Sequence, residues 1–210
     1  DMKNVFISKH PLIQHKLTML RDKPTGSKQF RELTSEITLL LGYEATASLK
    51  LREVEVTTPI GTAQSKMMKD SKIALVPVLR AGLQMADGLM NVLPAAKIGH
   101  IGLYRDRDRG QTVEYYCKMP DDICERDVIV LDPLIATGNS ISKAVERVIE
   151  HNPRSVRIIT LVVSREGIEK FHKLHPEIEV YIASIDDSLD ADGMINPGVG
   201  DVADRIFGTM

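Results

Sequence analysis

The sequence predicts an α/β protein in which a mainly parallel sheet is flanked by helices. Residues 128–131 (Val-Ile-Val-Leu) and 73–79 (Ile-Ala-Leu-Val-Pro-Val-Leu) are short apolar runs, the pattern of strands buried on both faces. Each is followed by an apolar stripe at helical spacing. Ile141, Ala144, Val145, Val148 and Ile149 follow the first, and Leu83, Ala86, Leu89, Met90 and Leu93 the second. Residues 155–163, another apolar run, lead into a third helical pattern at Ile168, Phe171 and Leu174. Buried strands alternating with amphipathic helices make βα units, which assemble into parallel sheets.

Taken in order, residues 11–21 read as a short helix (Leu12, Ile13, Leu17, Leu20), broken by Lys23-Pro-Thr-Gly-Ser27. Thr25 or Ser27 is placed to cap a second helix through Phe30, Leu33, Ile37, Leu40 and Leu41. Two helices ahead of any strand predict a helical arm over residues 1–50, outside the sheet, covering an edge or docking on a second subunit. Val54 and Val56 alternate with Glu53 and Glu55, a half-exposed strand that Pro59 ends. Residues 65–69 are expected to begin a short helix. Pro77 removes one ladder donor from its strand, which argues for an edge or a bulge there.

Residues 97–104 form the next strand, followed by the charged stretch Arg105-Asp-Arg-Asp-Arg-Gly-Gln111 and an aromatic return at 113–118. This reads as a long hairpin, residues 104–118, with a mobile tip. Residues 179–183 close the series, so the core sheet is expected within 51–183. His172 and His175 lie near a helix end and read as surface residues complementing its dipole. The tail, residues 184–210, is rich in Asp and Gly. Ile195, Val199, Val202, Ile206 and Phe207 are nevertheless placed to fold it into a lid.

The 43% hydrophobic content of 210 residues suffices for a full core in one domain. A net charge of −2 leaves no footprint for nucleic acid or an anionic membrane. Cys117 and Cys124 lack metal-ligand spacing and fit a reducing compartment. No apolar run reaches the roughly 18–20 residues that span a bilayer, and no signal peptide is evident, so a soluble cytoplasmic protein is expected.

The chemistry concentrates in two strand-loop-helix units. In the stretch Asp132-Pro-Leu-Ile-Ala-Thr-Gly-Asn-Ser140, a carboxylate at a strand end precedes a Gly-containing turn that opens a helix. Helix N-termini carry unpaired amides and partial positive charge, and so bind phosphate. The stretch lacks the Lys of a Walker A loop, where Asn139 stands. An acid beside an anion site would repel it unless it faces something else, such as sugar hydroxyls. In the other unit, Arg80 follows the buried 73–79 run directly. An acid in one loop and a cation in the other could hold the two ends of a polyanionic sugar phosphate.

The 132–140 stretch resembles the phosphoribosyl-diphosphate loop of type I phosphoribosyltransferases, in the form found in the uracil phosphoribosyltransferase family. Val78-Leu-Arg-Ala-Gly-Leu83 resembles the family's pyrophosphate loop, and Gly102-Leu-Tyr-Arg-Asp106 its flexible catalytic loop. Pro197-Gly-Val-Gly-Asp201 with Asp204-Arg-Ile-Phe-Gly-Thr209 resembles its uracil-binding hood. The chain departs from the pattern at Met194, Asn196, Val202 and Ala203, and at Arg109-Gly-Gln111.

The resemblance implies a type I phosphoribosyltransferase fold with a C-terminal hood. It implies conversion of uracil and 5-phospho-α-D-ribose 1-diphosphate (PRPP) to UMP and diphosphate. Arg80, Arg105 and Asp201 would be catalytic. PRPP would be held by Arg80, Arg105, Asp132, Pro133, Leu134, Ile135, Ala136, Thr137, Gly138, Asn139, Ser140 and Asp201. Uracil would be held by Ile195, Gly200, Asp201 and Val202. Mg²⁺ would be bound through substrate oxygens and water, without a direct protein cage. A homodimer or homotetramer is implied, and GTP activates some relatives. The rival reading is a regulator that senses a nucleotide on the same fold without turnover. The presence of both Arg80 and the closing loop argues against it.

Overall fold

The computed structural model describes residues 2–70 and 72–210. The elements run β1 (Val5–Ile7), α1 (Pro11–Arg21), α2 (Ser27–Ala45), β2 (Leu51–Thr58), β3 (Gly61–Met68), β4 (Ile73–Leu79) and α3 (Gly82–Met90). There follow β5 (Lys97–Ile98), β6 (His100–Asp106), β7 (Gln111–Lys118), β8 (Asp127–Leu131), β9 (Leu134–Ile135) and α4 (Asn139–Ile149). The chain continues through β10 (Ser155–Ser164), α5 (Arg165–Leu174), β11 (Glu179–Asp186), β12 (Ser188–Leu189), β13 (Ile195–Asn196) and α6 (Val202–Phe207). No described helix is long and apolar enough to cross a membrane.

The main sheet has the order β1-β11-β10-β8-β4-β6-β7, parallel except for the β6–β7 hairpin. β4 and β8 lie side by side in its middle, and their residues are buried almost throughout, which is why both read as unbroken apolar runs. From β8 the chain crosses through α4 to β10, and from β4 it crosses through α3 toward β6, in opposite directions. The core is split accordingly. Ile13, Phe30, Ile37, Met85 and Leu89 of α1–α3 pack on one face with the tail's Ile206. Ile141, Val145 and Val148 of α4, with Ile168 and Phe171 of α5, pack on the other. Where consecutive crossovers part in this way, the loops leave a crevice at the strands' carboxyl ends.

Several expectations need correction. The arm is not outside the sheet, because β1 pairs with β11 at the sheet edge and α2 contributes fully buried core residues. Residues 65–69 begin no helix. They belong to β3, which pairs with β2 in a separate two-stranded hairpin. Neither Thr25 nor Ser27 caps α2, whose N-cap is Gly26, and the Thr25 hydroxyl donates to the Met19 carbonyl instead (2.6 Å). Pro77 sits in a central strand. It is tolerated because the neighbour on one side is interrupted at Gly99: β5 pairs with Ala74 and Leu75, and β6 resumes at Val78. His175 is more enclosed than a surface residue, its ring 5.2 Å from that of Phe171.

Candidate active site

The crevice between the ends of β4 and β8 contains the two groups singled out from sequence. Pro77 pairs with Leu131, so Asp132 falls opposite Val78 just past the ladder and Arg80 follows further along, both lining the same cleft. A cleft of about 360 Å³ is lined by Arg80, Ala81, Tyr104, Tyr115, Asp132, Ser140 and Ala203, among others. It shares Asp132 and Ser140 with a second hollow of about 210 Å³, lined by Arg105, residues 134–138 and Gly193. The two hollows form one trough, with the sheet as its floor.

The phosphate-type turn is shaped by Gly138, whose φ of 85° suits glycine and poorly suits any L side chain. That residue is the N-cap of α4, so the first amides of the helix point into the hollow. The turn is buttressed by residues that no local motif flagged. The Ser164 hydroxyl donates to the Ala136 carbonyl and accepts from the Gly167 amide, and a methyl on Gly138 would lie 2.9 Å from the Gly167 carbonyl. Lys170 Nζ donates to Asn139 Oδ1 at 2.6 Å, which places a cation beside the same turn.

Asp132 reaches the trough but is otherwise enclosed by protein. Burial without a cationic partner pushes its pKa from 3.8 to about 7, while a long contact from the Leu134 amide (3.5 Å) pulls weakly the other way. Arg80 is exposed. Its guanidinium lies 5.2 Å from the centre of the Phe207 ring and 4.0 Å from Asp204, both on α6. The carboxyl-terminal tail therefore meets the arginine loop directly.

Arg105 leaves β6 just before the hairpin turn and approaches the tail, since a methyl on Gly193 would lie 3.3 Å from Arg105 Nη1. The hairpin is fastened to α4, with Lys143 donating to the Thr112 carbonyl (2.7 Å) and Arg147 to Glu114 (3.1 Å).

The tail folds as a hood. Val199, Val202 and Ile206 are almost fully buried and Ile195 nearly so, each burial contributing about 1.5–3 kcal/mol. The side chains of Ile195 and Val202 are thus packed into the core. Ala203, which the sequence reading did not select, lines the cleft instead. Gly200 and Asp201 are exposed, and Asp201 caps α6 by accepting from the Asp204 amide at 2.9 Å. Met194 is only partly covered.

Another cleft of about 360 Å³, lined by Lys50, Lys69, Asp127 and Arg154 among others, opens at the opposite ends of the strands. Asp127 and Arg154 are already paired with each other there (2.7 Å), and no described helix N-terminus lines that cleft.

This fold and trough define a type I phosphoribosyltransferase. A hypoxanthine-guanine phosphoribosyltransferase from Bacillus anthracis shares the fold, with a TM-score of 0.51 at 14% identity, covering 76% of this chain and 80% of that one. A solved protein from Aquifex aeolicus superposes with a TM-score of 0.91 at 32% identity over 97% of both chains. The family profile described as uracil phosphoribosyltransferase matches residues 7–209. A uracil phosphoribosyltransferase from Caldanaerobacter subterraneus subsp. tengcongensis is 52% identical over 99% of both chains. One from Clostridioides difficile is 50% identical over 99% of this chain and all of its own. The chain belongs to the uracil phosphoribosyltransferase family.

Proposed function

We propose that the trough transfers the 5-phosphoribosyl group of PRPP to N1 of uracil, yielding UMP and diphosphate. The observation that carries this reading is the convergence of Arg80, Asp132 and the N-terminus of α4 in one crevice, with Ala203 and Gly193 of the tail lining its walls. The amides of residues 137–140 hold the 5′-phosphate, because a helix N-terminus presents unpaired donors to an anion. Asp132 lies between that nest and Arg80 and engages the ribose hydroxyls. The C1–O bond to diphosphate breaks through an oxocarbenium-like state as the C1–N bond to uracil forms, and the proton that N1 loses passes to the departing diphosphate or to water. Negative charge gathers on the departing diphosphate, where Arg80 and Arg105 stabilise it. The hood holds the base over C1, so positioning supplies much of the acceleration.

Uracil presents two carbonyl acceptors and an N3–H donor. Within the hood, the exposed Gly200 and Asp201 offer main-chain partners for that edge, while the Ile195 and Val202 side chains are packed inward. Mg²⁺ suits the oxygen donors at hand. One Asp201 oxygen caps α6 and the residue is exposed, so its carboxylate can meet a hydrated cation already bound to diphosphate oxygens. Bound there, the cation would neutralise diphosphate charge. Assembly as a dimer or tetramer and activation by GTP belong to the same proposal, tested by sedimentation and by initial rates with and without GTP. The reaction itself is tested by diphosphate release from PRPP with each nucleobase in turn, with Mg²⁺ and with EDTA. Release with uracil alone among the bases is expected. Equal release with a purine, or none with uracil, refutes the reading.

A further inference from the structure

The hood is gripped from behind by a residue outside the trough. Arg21, the last residue of α1, makes a forked pair with Asp186 at the end of β11, Nη1 to Oδ2 and Nη2 to Oδ1, both at 2.7 Å. The same guanidinium donates to the Gly198 carbonyl at 2.9 Å, and the Gly198 amide donates to Asp186 Oδ2 at 2.8 Å. Both main-chain groups of Gly198 are therefore committed to one ion pair. Ser184 completes the network, accepting from Arg21 Nη2 and donating to Asp186, each at 3.1 Å. Asp186 is 5% exposed. A planar fork of this kind fixes orientation as well as distance, which a lysine ammonium does not.

Gly198 lies midway between Ile195 and Asp201, within the segment that faces the base. Its φ is 58°, and a methyl there would lie 2.2 Å from the Ile195 carbonyl oxygen. The hood main chain is thus folded back on itself with no slack, and its path depends on where Gly198 is held.

We propose that Arg21 and Asp186 are positioning residues for base recognition, holding the hood main chain at Gly198 in the register that fits the uracil edge. The inference rests on the proposed reaction and deepens it. Neither residue lines the trough, and neither touches the phosphate nest or Arg80. Loosening the pair acts on the base and spares PRPP.

Three measurements on Arg21→Met and Asp186→Asn test this: KM for each substrate, the uracil-over-cytosine ratio of kcat/KM, and amide exchange of residues 195–202. In Arg21→Met the KM for uracil is expected to rise about tenfold or more, with KM for PRPP and kcat within about threefold. The base ratio falls and exchange of the 198–202 amides quickens. A purely structural role would lower the melting temperature and active fraction while leaving both KM values and the base ratio unmoved, and that result overturns the proposal. If Arg21→Met does not fold, Arg21→Lys carries the test, keeping the charge but losing the fork. Its KM for uracil is expected to rise about threefold, and an unchanged value overturns the proposal. Should the enzyme prefer another base, the exchange data still report the clamp, and the KM shift is read on that base.

Discussion

Replacing Asp132 by asparagine separates what the residue does for the ligand from what it costs the fold. Its carboxyl is pushed from 3.8 to about 7 by burial with no cation nearby. The folded chain therefore holds this proton more tightly than the unfolded chain, and stability falls as pH rises from about 4 to about 7. Above that range the full penalty is present. A shift of about three units corresponds to about 4 kcal/mol as a ceiling, at about 1.4 kcal/mol per unit. The carboxyl still reaches solvent through the trough, which reduces the expected cost to about half, or about 2 kcal/mol.

Asparagine keeps the shape and removes the charge, so Asp132→Asn should be stabilised at pH 8 by about 4–8 °C in melting temperature for a chain of this length. At pH 5 the unfolded carboxyl is ionised and the folded one still largely neutral, so only part of the penalty is present and the gain should be smaller than at pH 8. The variant should meanwhile lose about 10- to 100-fold in kcat/KM, since an amide is a weaker and differently directed partner for ribose hydroxyls. Paired thermal unfolding of wild type and variant at pH 5 and pH 8, without ligand, checks the first claim, and steady-state kinetics checks the second. A melting shift that is negative at pH 8, or equal at the two pH values, would refute the reasoning.

Three further expectations concern the same trough. Arg80→Ala should lower kcat/KM about a hundredfold or more, the ~3 kcal/mol scale of a lost transition-state charge contact; ordinary turnover would remove Arg80 from the mechanism. Gly138→Val should abolish UMP binding in calorimetry, because φ is 85° and the new Cβ meets the Gly167 carbonyl at 2.9 Å. Thr137→Val, which deletes one hydroxyl, should weaken UMP by only about 1 kcal/mol; equal affinities for wild type and Gly138→Val would contradict the nest. Asp201→Asn should damage turnover far more than Met194→Tyr, which should keep the uracil-over-cytosine ratio within about tenfold, or about 1.4 kcal/mol. A collapsed base preference in Met194→Tyr would mean that side chains, not main chain, read the base.

Most of the parallel core was legible because its strands are buried on both faces and so appear as continuous apolar runs. Arg80, Asp132 and the 136–140 turn were legible as crevice residues for a related reason: each lies within a few residues of the end of such a run, and strand ends are where open α/β sheets keep their ligands. The hairpin β2–β3 was half missed. The stretch Gln64-Ser-Lys-Met-Met68 favours helix by propensity, but pairing across the Thr58–Gly61 turn, where the Thr58 hydroxyl accepts from the Ile60 and Gly61 amides, overrides it. β1 is three residues long, too short for any periodicity to show. Ser164, Gly167, Ala203 and Arg21 carried no local signal, because each reaches the trough or its supports only through the folded chain. A buried hydroxyl at a strand's end or an arginine at a helix's end has many possible partners, and sequence spacing does not choose among them.

The grip of the first helices on the hood joins parts of the chain that are synthesised far apart in time. Arg21 reaches Gly198 across 177 positions, Arg31 reaches Ile206 across 175, and Arg205 donates to the Leu20 carbonyl across 185. Contacts this distant in sequence close late, because the loop between them must be ordered first. The residues of the nest and of its Ser164 support all precede residue 198 and leave the ribosome before it. On the proposed reading, synthesis delivers the residues for a sugar phosphate first and those for a base last, and a chain released short of the hood would lack the segment that faces the base.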